Sequence, residues 1–194
     1  MRPGKIVCVG RNYADHAREL NNPVPTEPVF FMKPASAIAG DLIAPAAPAR
    51  FEAELTYLYR GGALAGLGLG LDLTLGALQK DLKSKGLPWE RAKAFRGSAV
   101  FSRFIEVAGV ARPGLELLVN GTVRQQGDLT GMIFSPDVLR ERIEAEFGLE
   151  DGDLIMTGTP AGVGDLVAGD TLVGRVMDAE RVVLETTWTV HPAS

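Results

Sequence analysis

The run Phe51-Glu52-Ala53-Glu54-Leu55-Thr56-Tyr57-Leu58-Tyr59 places two glutamates two residues apart in a strand-like segment. Period-two geometry puts both carboxylates on one face of that strand. Like charges that close repel unless something positive lies between them. A third carboxylate, Asp72, lies in the next strand-like run, Leu67-Gly68-Leu69-Gly70-Leu71-Asp72-Leu73, flanked by leucines where an unpaired charge is costly. Hard divalent cations take carboxylate oxygens, so three acids on two adjacent apolar strands read as a magnesium- or manganese-type site. The alternative turns Glu52 and Glu54 to solvent on an edge strand, as surface glutamates commonly are. Only convergence of all three acids separates the two.

The chain has 194 residues, enough for one domain with a sizeable core. A net charge of −4 and the lack of any basic run argue against a nucleic-acid partner. The apolar run after Met1-Arg2-Pro3-Gly4-Lys5 is broken by Arg11 and Asp15, so neither a signal peptide nor a membrane span is expected. Cys8 is the only cysteine, cannot form an internal disulfide and reads as a buried strand residue; a reducing, cytoplasmic setting is the simplest. Two histidines exclude a histidine-rich zinc site.

Along the chain, residues 5–9 and 29–32 read as short strands, the second stopped by Pro34, with a helix over 15–20 between them. Strands are expected near 51–59 and 64–74 around the tight turn Gly61-Gly62, then a helix over 75–85 ended by Gly86-Leu87-Pro88. Strands 115–119 and 122–126 flank Asn120-Gly121, the strongest hairpin signal in the chain. Ser135-Pro136 caps a helix that carries Val138, Leu139, Ile143 and Phe147 at helical spacing and closes at Gly148. A buried strand at 153–156 leads into a glycine-rich loop, and strands 171–177 and 181–189 finish the chain. Many short strands and few helices indicate an α+β, β-rich fold with mixed or antiparallel sheets.

Three further groups can carry chemistry. His16 and Glu19 are three residues apart on the expected first helix, where a carboxylate orients an imidazole and raises its pKa toward that of a general base; the plain alternative is an exposed charge pair. Thr157-Gly158-Thr159-Pro160 follows a buried strand, so backbone amides and hydroxyls can approach an anion, or simply make a tight turn; no lysine follows as in a Walker loop. Lys93 beside a metal site could pair with a substrate carboxylate or stabilise an enolate; otherwise it is a solvated lysine.

Taken in order, the segments resemble the fumarylacetoacetate hydrolase family. The stretches that carry the likeness are Lys5 through His16, Glu27 through Pro34, Glu52-Ala53-Glu54, Gly70-Leu71-Asp72-Leu73-Thr74, Gly86-Leu87-Pro88-Trp89 through Phe95, Val119-Asn120-Gly121, and Gly152 through Gly164. The resemblance is closest to the short members that act on acylpyruvates and oxaloacetate. It implies a mixed β-sandwich roll of the family's C-terminal-domain type over residues 1–194, with a strand and lid helix in 1–45 and the roll in 46–194. It implies Mg2+ or Mn2+ (Ca2+ as a stand-in in crystals) on Glu52, Glu54 and Asp72. Catalytic roles fall to His16, Glu19 and Lys93, and substrate contacts to Arg11, Tyr13, Gln79, Lys93, Thr157, Gly158 and Thr159. The implied reaction is metal-dependent hydrolysis of a C–C bond in a 1,3-diketo acid, with a small keto-acid or dicarboxylate substrate and a homodimeric enzyme. Oxaloacetate decarboxylation or a 2-hydroxyhepta-2,4-diene-1,7-dioate isomerase-like tautomerisation would reuse the same enolate chemistry. A metal-binding relative with little or no catalysis is a further class.

The chain departs from the family pattern at four places. Arg50-Phe51 stand where a histidine usually precedes the acidic strand, and Arg96 where many members have aspartate. Gly76-Ala77 replace an arginine–aspartate pair that helps bind the substrate carboxylate, a role Arg91 or Lys93 would then have to take. Arg60-Gly61-Gly62-Ala63 replace a longer connection, which is expected to shorten the wall near the site.

Overall fold

The computed structural model describes residues 3–14 and 24–193. Its main sheet begins with β1 (Lys5–Gly10), β2 (Val29–Pro34), β4 (Ala53–Arg60) and β5 (Ala63–Asp72), and is completed by β6 (Ala99–Phe101), β7 (Ile105–Glu106) and β10 (Leu154–Met156). The strand order is β2-β1-β10-β4-β5-β6, with β7 also on β5. β1 runs parallel to β10 and every other pairing in this sheet is antiparallel, so the sheet is mixed. A second, antiparallel sheet has the order β13-β12-β8-β9 and is built from β8 (Pro113–Val119), β9 (Thr122–Asp128), β12 (Thr171–Asp178) and β13 (Arg181–Thr189). A two-stranded pair, β3 (Arg50–Phe51) with β11 (Gly164–Asp165), sits beside them. The described helices are α1 (Gly76–Ser84), α2 (Glu90–Lys93) and α3 (Pro136–Phe147). This is a β-rich α+β fold. None of its described helices is long and apolar enough to cross a membrane.

The alternation on β5 sorts its two faces. Leu67, Leu69 and Leu71, with Leu73 just beyond the strand, are fully buried and join Ala53, Leu55 and Tyr57 of β4 in the principal core. That core is closed from the other side by Leu115, Leu117, Leu172, Val176 and Trp188 of the second sheet. The two layers touch closely at Gly174, where an added Cβ would lie 2.3 Å from Leu69 Cδ2. The opposite face of β5 carries Gly66, Gly68, Gly70 and then Asp72, paired across β4 with Leu58, Thr56 and Glu54. The glycines admit a second layer: a Cβ on Gly70 would meet Thr56 Oγ1 at 2.5 Å and Met156 Cε at 2.9 Å. Met156 belongs to a smaller core with Ile6, Cys8, Ala99 and Leu154. Burial pushes the Cys8 thiol well up, so it is an inert core residue.

Local signals explain the remaining boundaries. Asn120 and Gly121 both take positive φ (49° and 80°), as a two-residue hairpin loop between β8 and β9 requires. Ser135 Oγ accepts the Val138 amide, Pro136 opens α3 and Gly148 ends it at φ 67°. Of the four apolar residues at helical spacing, Leu139 and Ile143 are buried; Val138 and Phe147 are 41% and 44% exposed, and Phe147 packs edge-on against Phe30. The expected strand 51–59 is divided at Glu52, because Phe51 pairs with Gly164 of β11 before the chain joins β5. Pro34 does not stop β2 but ends it inside the ladder, which an edge strand tolerates. The helix expected over 15–20 lies outside the described residues.

The N-terminal strand is fastened through Asp153, whose side chain is fully buried. Its carboxylate accepts from the Lys5 amide (3.0 Å), the Lys5 ammonium (2.5 Å) and the Glu150 amide (2.9 Å). Burial alone would raise its pKa, but these bonds more than offset it and the pKa is lowered. A folded pKa below the unfolded value adds stability that is present above the unfolded pKa and lost as pH falls through the folded one. Asp153→Asn is therefore expected to cost about 2 kcal/mol at neutral pH. In urea titrations the gap to the parent protein should close as pH drops below about 4. A gap that stays constant with pH would remove the carboxylate charge from the explanation.

Candidate metal centre

Hydrogen bonding between β4 and β5 brings the three acids together. The Asp72 amide donates to the Glu52 carbonyl (2.8 Å), and Glu54 faces Gly70 one step further along. Oxygens of Glu52, Glu54 and Asp72 all lie within 4.8 Å of one another. Glu54 and Asp72 are buried and Glu52 is half-buried, so the solvent-face reading of Glu52 and Glu54 does not hold. Asp72 points away from its flanking leucines, onto the glycine face.

Two lysines reach into this cluster. Lys93 Nζ donates to Glu52 Oε2 (2.9 Å), Asp72 Oδ2 (2.6 Å) and Thr74 Oγ1 (2.7 Å). All three of its donors are thereby used. Burial works against its charge, but Asp72 and Glu52 outweigh that and raise its pKa. Lys93 is thus neither solvated nor free to take a substrate carboxylate in this arrangement. Lys33, 0% exposed, lies 2.8 Å from Asp72 Oδ1 as an ion pair and donates to the carbonyls of Ser98 (3.0 Å) and Lys93. It is placed by β2 and was not singled out from the sequence, where Phe31-Met32-Lys33-Pro34 carries no spacing signal.

Glu54 pairs with no lysine among the described residues; the Gly158 amide donates to its Oε2 (2.8 Å). Burial pushes its carboxyl well above the usual carboxylate range, Asp72 and Glu52 push it further, and Lys93 and the Gly158 amide only partly oppose them. The anion approached by the 157–159 loop is therefore the protein's own glutamate. Gly158 takes φ 95°, and a Cβ there would lie 2.8 Å from Asn12 Cβ, so this approach requires glycine. The loop is held by Asn12, which donates to the Thr157 carbonyl (2.8 Å). It is also held by Gln125, which donates to Thr159 Oγ1 (2.7 Å) and the Pro160 carbonyl (2.9 Å) and accepts the Ala53 amide (2.9 Å). Neither Asn12 nor Gln125 is legible from the sequence as a site support, since their contacts join residues 34 to 145 positions apart in the chain.

The cluster opens into a cavity of ≈ 50 Å³ lined by Arg11, Phe31, Gln79, Lys83, Trp89 and Thr159 together with Glu52, Glu54 and Lys93. Of the expected substrate contacts, Arg11, Gln79, Lys93 and Thr159 line it. Thr157 does not: it is fully buried and its hydroxyl donates to the Leu55 carbonyl (2.8 Å). Gly158 contributes its amide to Glu54, and Tyr13 lines a different, larger cleft of ≈ 1010 Å³ with Arg112, Asp128 and Arg181. That cleft is the more voluminous and is lined by Asp128, Asp178 and Glu180, but among the described residues only Glu52, Glu54 and Asp72 bring three acids close enough to hold a metal ion, which makes the smaller cavity the candidate site. His16 and Glu19 lie outside the described residues. Lys83 was missed, although its four-residue spacing from Gln79 puts both on one face of α1. Arg91 and Arg96 are exposed and line neither space.

Two expected departures look different in three dimensions. The Arg60–Ala63 turn closes the end of the β4–β5 hairpin remote from Glu54 and Asp72, roughly 20 Å away at strand rise, so it does not shorten the site wall. Gly76 leaves room that Arg50 takes: a Cβ there would lie 3.3 Å from Arg50 Nε.

The donor set suits a hard divalent cation. Metal–oxygen bonds of roughly 2.1–2.6 Å allow oxygens up to about 5 Å apart around one ion. Three buried or half-buried carboxylates face two lysines, leaving one negative charge without a partner, and Glu54 carries that strain. Glu52, Glu54 and Asp72 are the residues that would hold the ion.

Comparison with known proteins follows the same lines. The model of the fumarylacetoacetate (FAA) hydrolase C-terminal domain matches residues 5–59 and 61–187. The chain is 42% identical over 189 residues to oxaloacetate tautomerase YcgM of Escherichia coli, covering 87% of this chain and 86% of that one. It is 37% identical over 201 residues to the mitochondrial oxaloacetate tautomerase oaa1 of Schizosaccharomyces pombe, covering 92% and 91%. Among solved structures, it superposes with a TM-score of 0.88 on fumarylpyruvate hydrolase from Pseudomonas aeruginosa in complex with Mn2+ and pyruvate. That match has 32% identity and covers 98% of this chain and 91% of that one.

Asp72→Asn and Glu54→Gln are each expected to weaken Mn2+ or Mg2+ binding at least tenfold to a hundredfold, on the scale set by second-shell losses. Titration calorimetry showing parental affinity in both variants would overturn the assignment. Gly158→Ala should destabilise the fold by about 1–3 kcal/mol through its positive φ and the Asn12 contact, and weaken the metal by displacing Glu54.

Proposed function

The chain belongs to the fumarylacetoacetate hydrolase family, and on that premise we propose that it is a divalent-metal-dependent enzyme that interconverts the keto and enol forms of a 2-oxo dicarboxylate of the oxaloacetate type. The observation that carries this reading is the cluster itself: three converging carboxylates, short of one positive charge, beneath a cavity whose wall is cationic. Relatives covering most of the chain are named oxaloacetate tautomerases, which favours tautomerisation over the C–C hydrolysis expected first.

Keto–enol exchange removes a proton from C3 and places one on the C2 oxygen; atoms and charge balance without a co-reactant. When bound, a divalent ion supplies Lewis-acid polarisation of the α-keto acid end. The chain's own residues do the rest. Lys93 and Lys33 hold Asp72 in place, and Thr74 donates to Glu52 Oε1 (2.9 Å), so the carboxylates are positioned from behind by the protein's own groups. Gln79 and Thr159 bound the space in which the substrate lies. The proton carrier is assigned to His16 with Glu19 as its orienting partner, on the spacing of the two residues.

Hydrolysis of an acylpyruvate is the second reading, favoured by the likeness to a fumarylpyruvate hydrolase holding Mn2+ and pyruvate. It needs an activated water as well as the enolate chemistry; decarboxylation of oxaloacetate needs the enolate chemistry alone. A homodimer in a reducing compartment completes the proposal, the latter supported by the single buried Cys8.

The test presents enol oxaloacetate and follows the decay of its ultraviolet absorbance with Mg2+, with Mn2+ and with chelator, beside acetylpyruvate and fumarylpyruvate as hydrolase substrates. Metal-dependent enol decay faster than any C–C cleavage is expected. Cleavage of either acylpyruvate at a higher kcat/KM would install the second reading. His16→Ala should reduce turnover by roughly a hundredfold or more while sparing metal affinity.

A further inference from the structure

The outer wall of the cavity holds cations that the metal cluster does not use. Gln79 and Lys83 lie one turn apart on α1 and both line the cavity. Lys83 Nζ sits 4.6 Å from the centroid of the Trp89 ring. Trp89 packs against Phe31 at 6.1 Å, and Phe31 in turn lies 5.0 Å from Lys93 Nζ. Two aromatic rings thus separate the inner lysine, fully committed to Glu52 and Asp72, from the outer one. Lys83 pairs with no carboxylate among the described residues, whereas Lys85 on the same helix end pairs with Asp81 at 2.8 Å.

Arg11 stands on the same wall. It takes φ 60°, a conformation rare outside glycine and one that persists where surrounding structure enforces it. Its Nε is buried without a hydrogen-bond partner. Two side chains of one sign, one with an orphaned donor, therefore line a confined space beside the acidic cluster. Burial lowers the Lys83 pKa, and Arg11 and Lys93 lower it further, so the wall is electrostatically unfavourable until an anion enters.

We propose that Lys83, with Arg11 beside it, binds the carboxylate at the end of the substrate remote from Glu52, Glu54 and Asp72, and so makes the site select 2-oxo dicarboxylates over 2-oxo monocarboxylates. This rests on the reading of the site as one for a metal-chelated 2-oxo acid and adds the residue that sets its specificity. The inner cluster grips the end common to both acid classes; only the outer cations can tell them apart. The Trp89 ring holds the Lys83 ammonium itself at the wall through a cation–π contact, so less of its side-chain freedom is left to lose when an anion binds.

The test compares two unreactive ligands that differ only in the distal carboxylate, L-malate and L-lactate, by calorimetry on the Mg2+-loaded protein. Parent, Lys83→Met and Lys83→Arg are measured. Methionine keeps an unbranched apolar side chain of similar length and removes the charge; arginine keeps the charge. Lys83→Met should weaken malate roughly tenfold or more and leave lactate within about twofold, with Lys83→Arg retaining most of the preference. The KM for oxaloacetate should rise more than kcat falls. Equal loss for malate and lactate would mean a structural role and would overturn the proposal, as would unchanged malate binding in Lys83→Met or a parent protein that does not prefer malate. If the parent discriminates through Lys83 yet turns over no enol oxaloacetate, the carboxylate site stands and the tautomerase reading falls.

Discussion

Three carboxylates and two lysines share one largely buried end of the β4–β5 hairpin, and elements from across the fold hold them there. Lys33 arrives from β2, Lys93 from α2, Glu52 from the junction of β3 and β4, and the amide that steadies Glu54 from the loop after β10. No two of these cations and supports come from one element. The parallel pairing of β1 with β10 matters for the same reason: it sets the end of β1, where Arg11 and Asn12 turn, against the 157–159 loop. Removing one partner from such a cluster leaves the others buried and unpaired, which costs more than the lost pair itself.

The Leu-Gly-Leu-Gly-Leu-Asp pattern of β5 settles two structural demands in one strand. Leucines on one face meet the second sheet, and glycines on the other let Met156, Phe101 and Thr56 close over the backbone. Asp72 continues the glycine face and so enters the site along a corridor with no side chain of its own strand in the way. A bulkier residue at Gly70 would push Met156 or Thr56 outward; Met156 lies on β10 beside β4, and Thr56 lies on β4 itself, two residues from Glu54. The packing of the smaller core and the geometry of the acids are thus one constraint.

Much of this could be read from residue order. Period-two runs, Asn120-Gly121 and Ser135-Pro136 act over a few residues, and the structure places the corresponding elements within a residue or two of expectation. The acids were legible because alternation and adjacency sufficed to bring them together. Lys33, Asn12 and Gln125 were not, because each meets its partner only through sheet order, and nothing local distinguishes them from any buried or surface polar residue. Thr157 misled for a related reason: the glycine beside it is needed for the protein's own Glu54, and its hydroxyl is spent on Leu55. Val138 and Phe147 show the limit of periodicity, which ranks positions around α3 but does not say how much of the helix the sheet covers.

Charge order across the site bears on the choice of chemistry. From the interior outward come Lys33, then Asp72 with Glu52 and Glu54, then the aromatic pair Phe31 and Trp89 with Lys83 and Arg11 at the wall. With all five groups ionised, Lys33, Lys93, Glu52, Glu54 and Asp72 carry a formal charge of one negative, and a divalent cation would turn that to one positive. A 2-oxo dicarboxylate carries two negative charges, and so is matched by the loaded cluster together with one outer cation. On the proposed reading, an enolate at C2 would develop its charge near the cluster, where fixed charges in a largely buried site act more strongly than in water. On the same reading, the distal carboxylate is equally charged before and after proton transfer, so the outer cations would hold the substrate without favouring either tautomer. Binding and chemistry would then be divided between the two ends of one small cavity, and a change at the outer wall would alter which acid enters while leaving the proton exchange at the inner end intact.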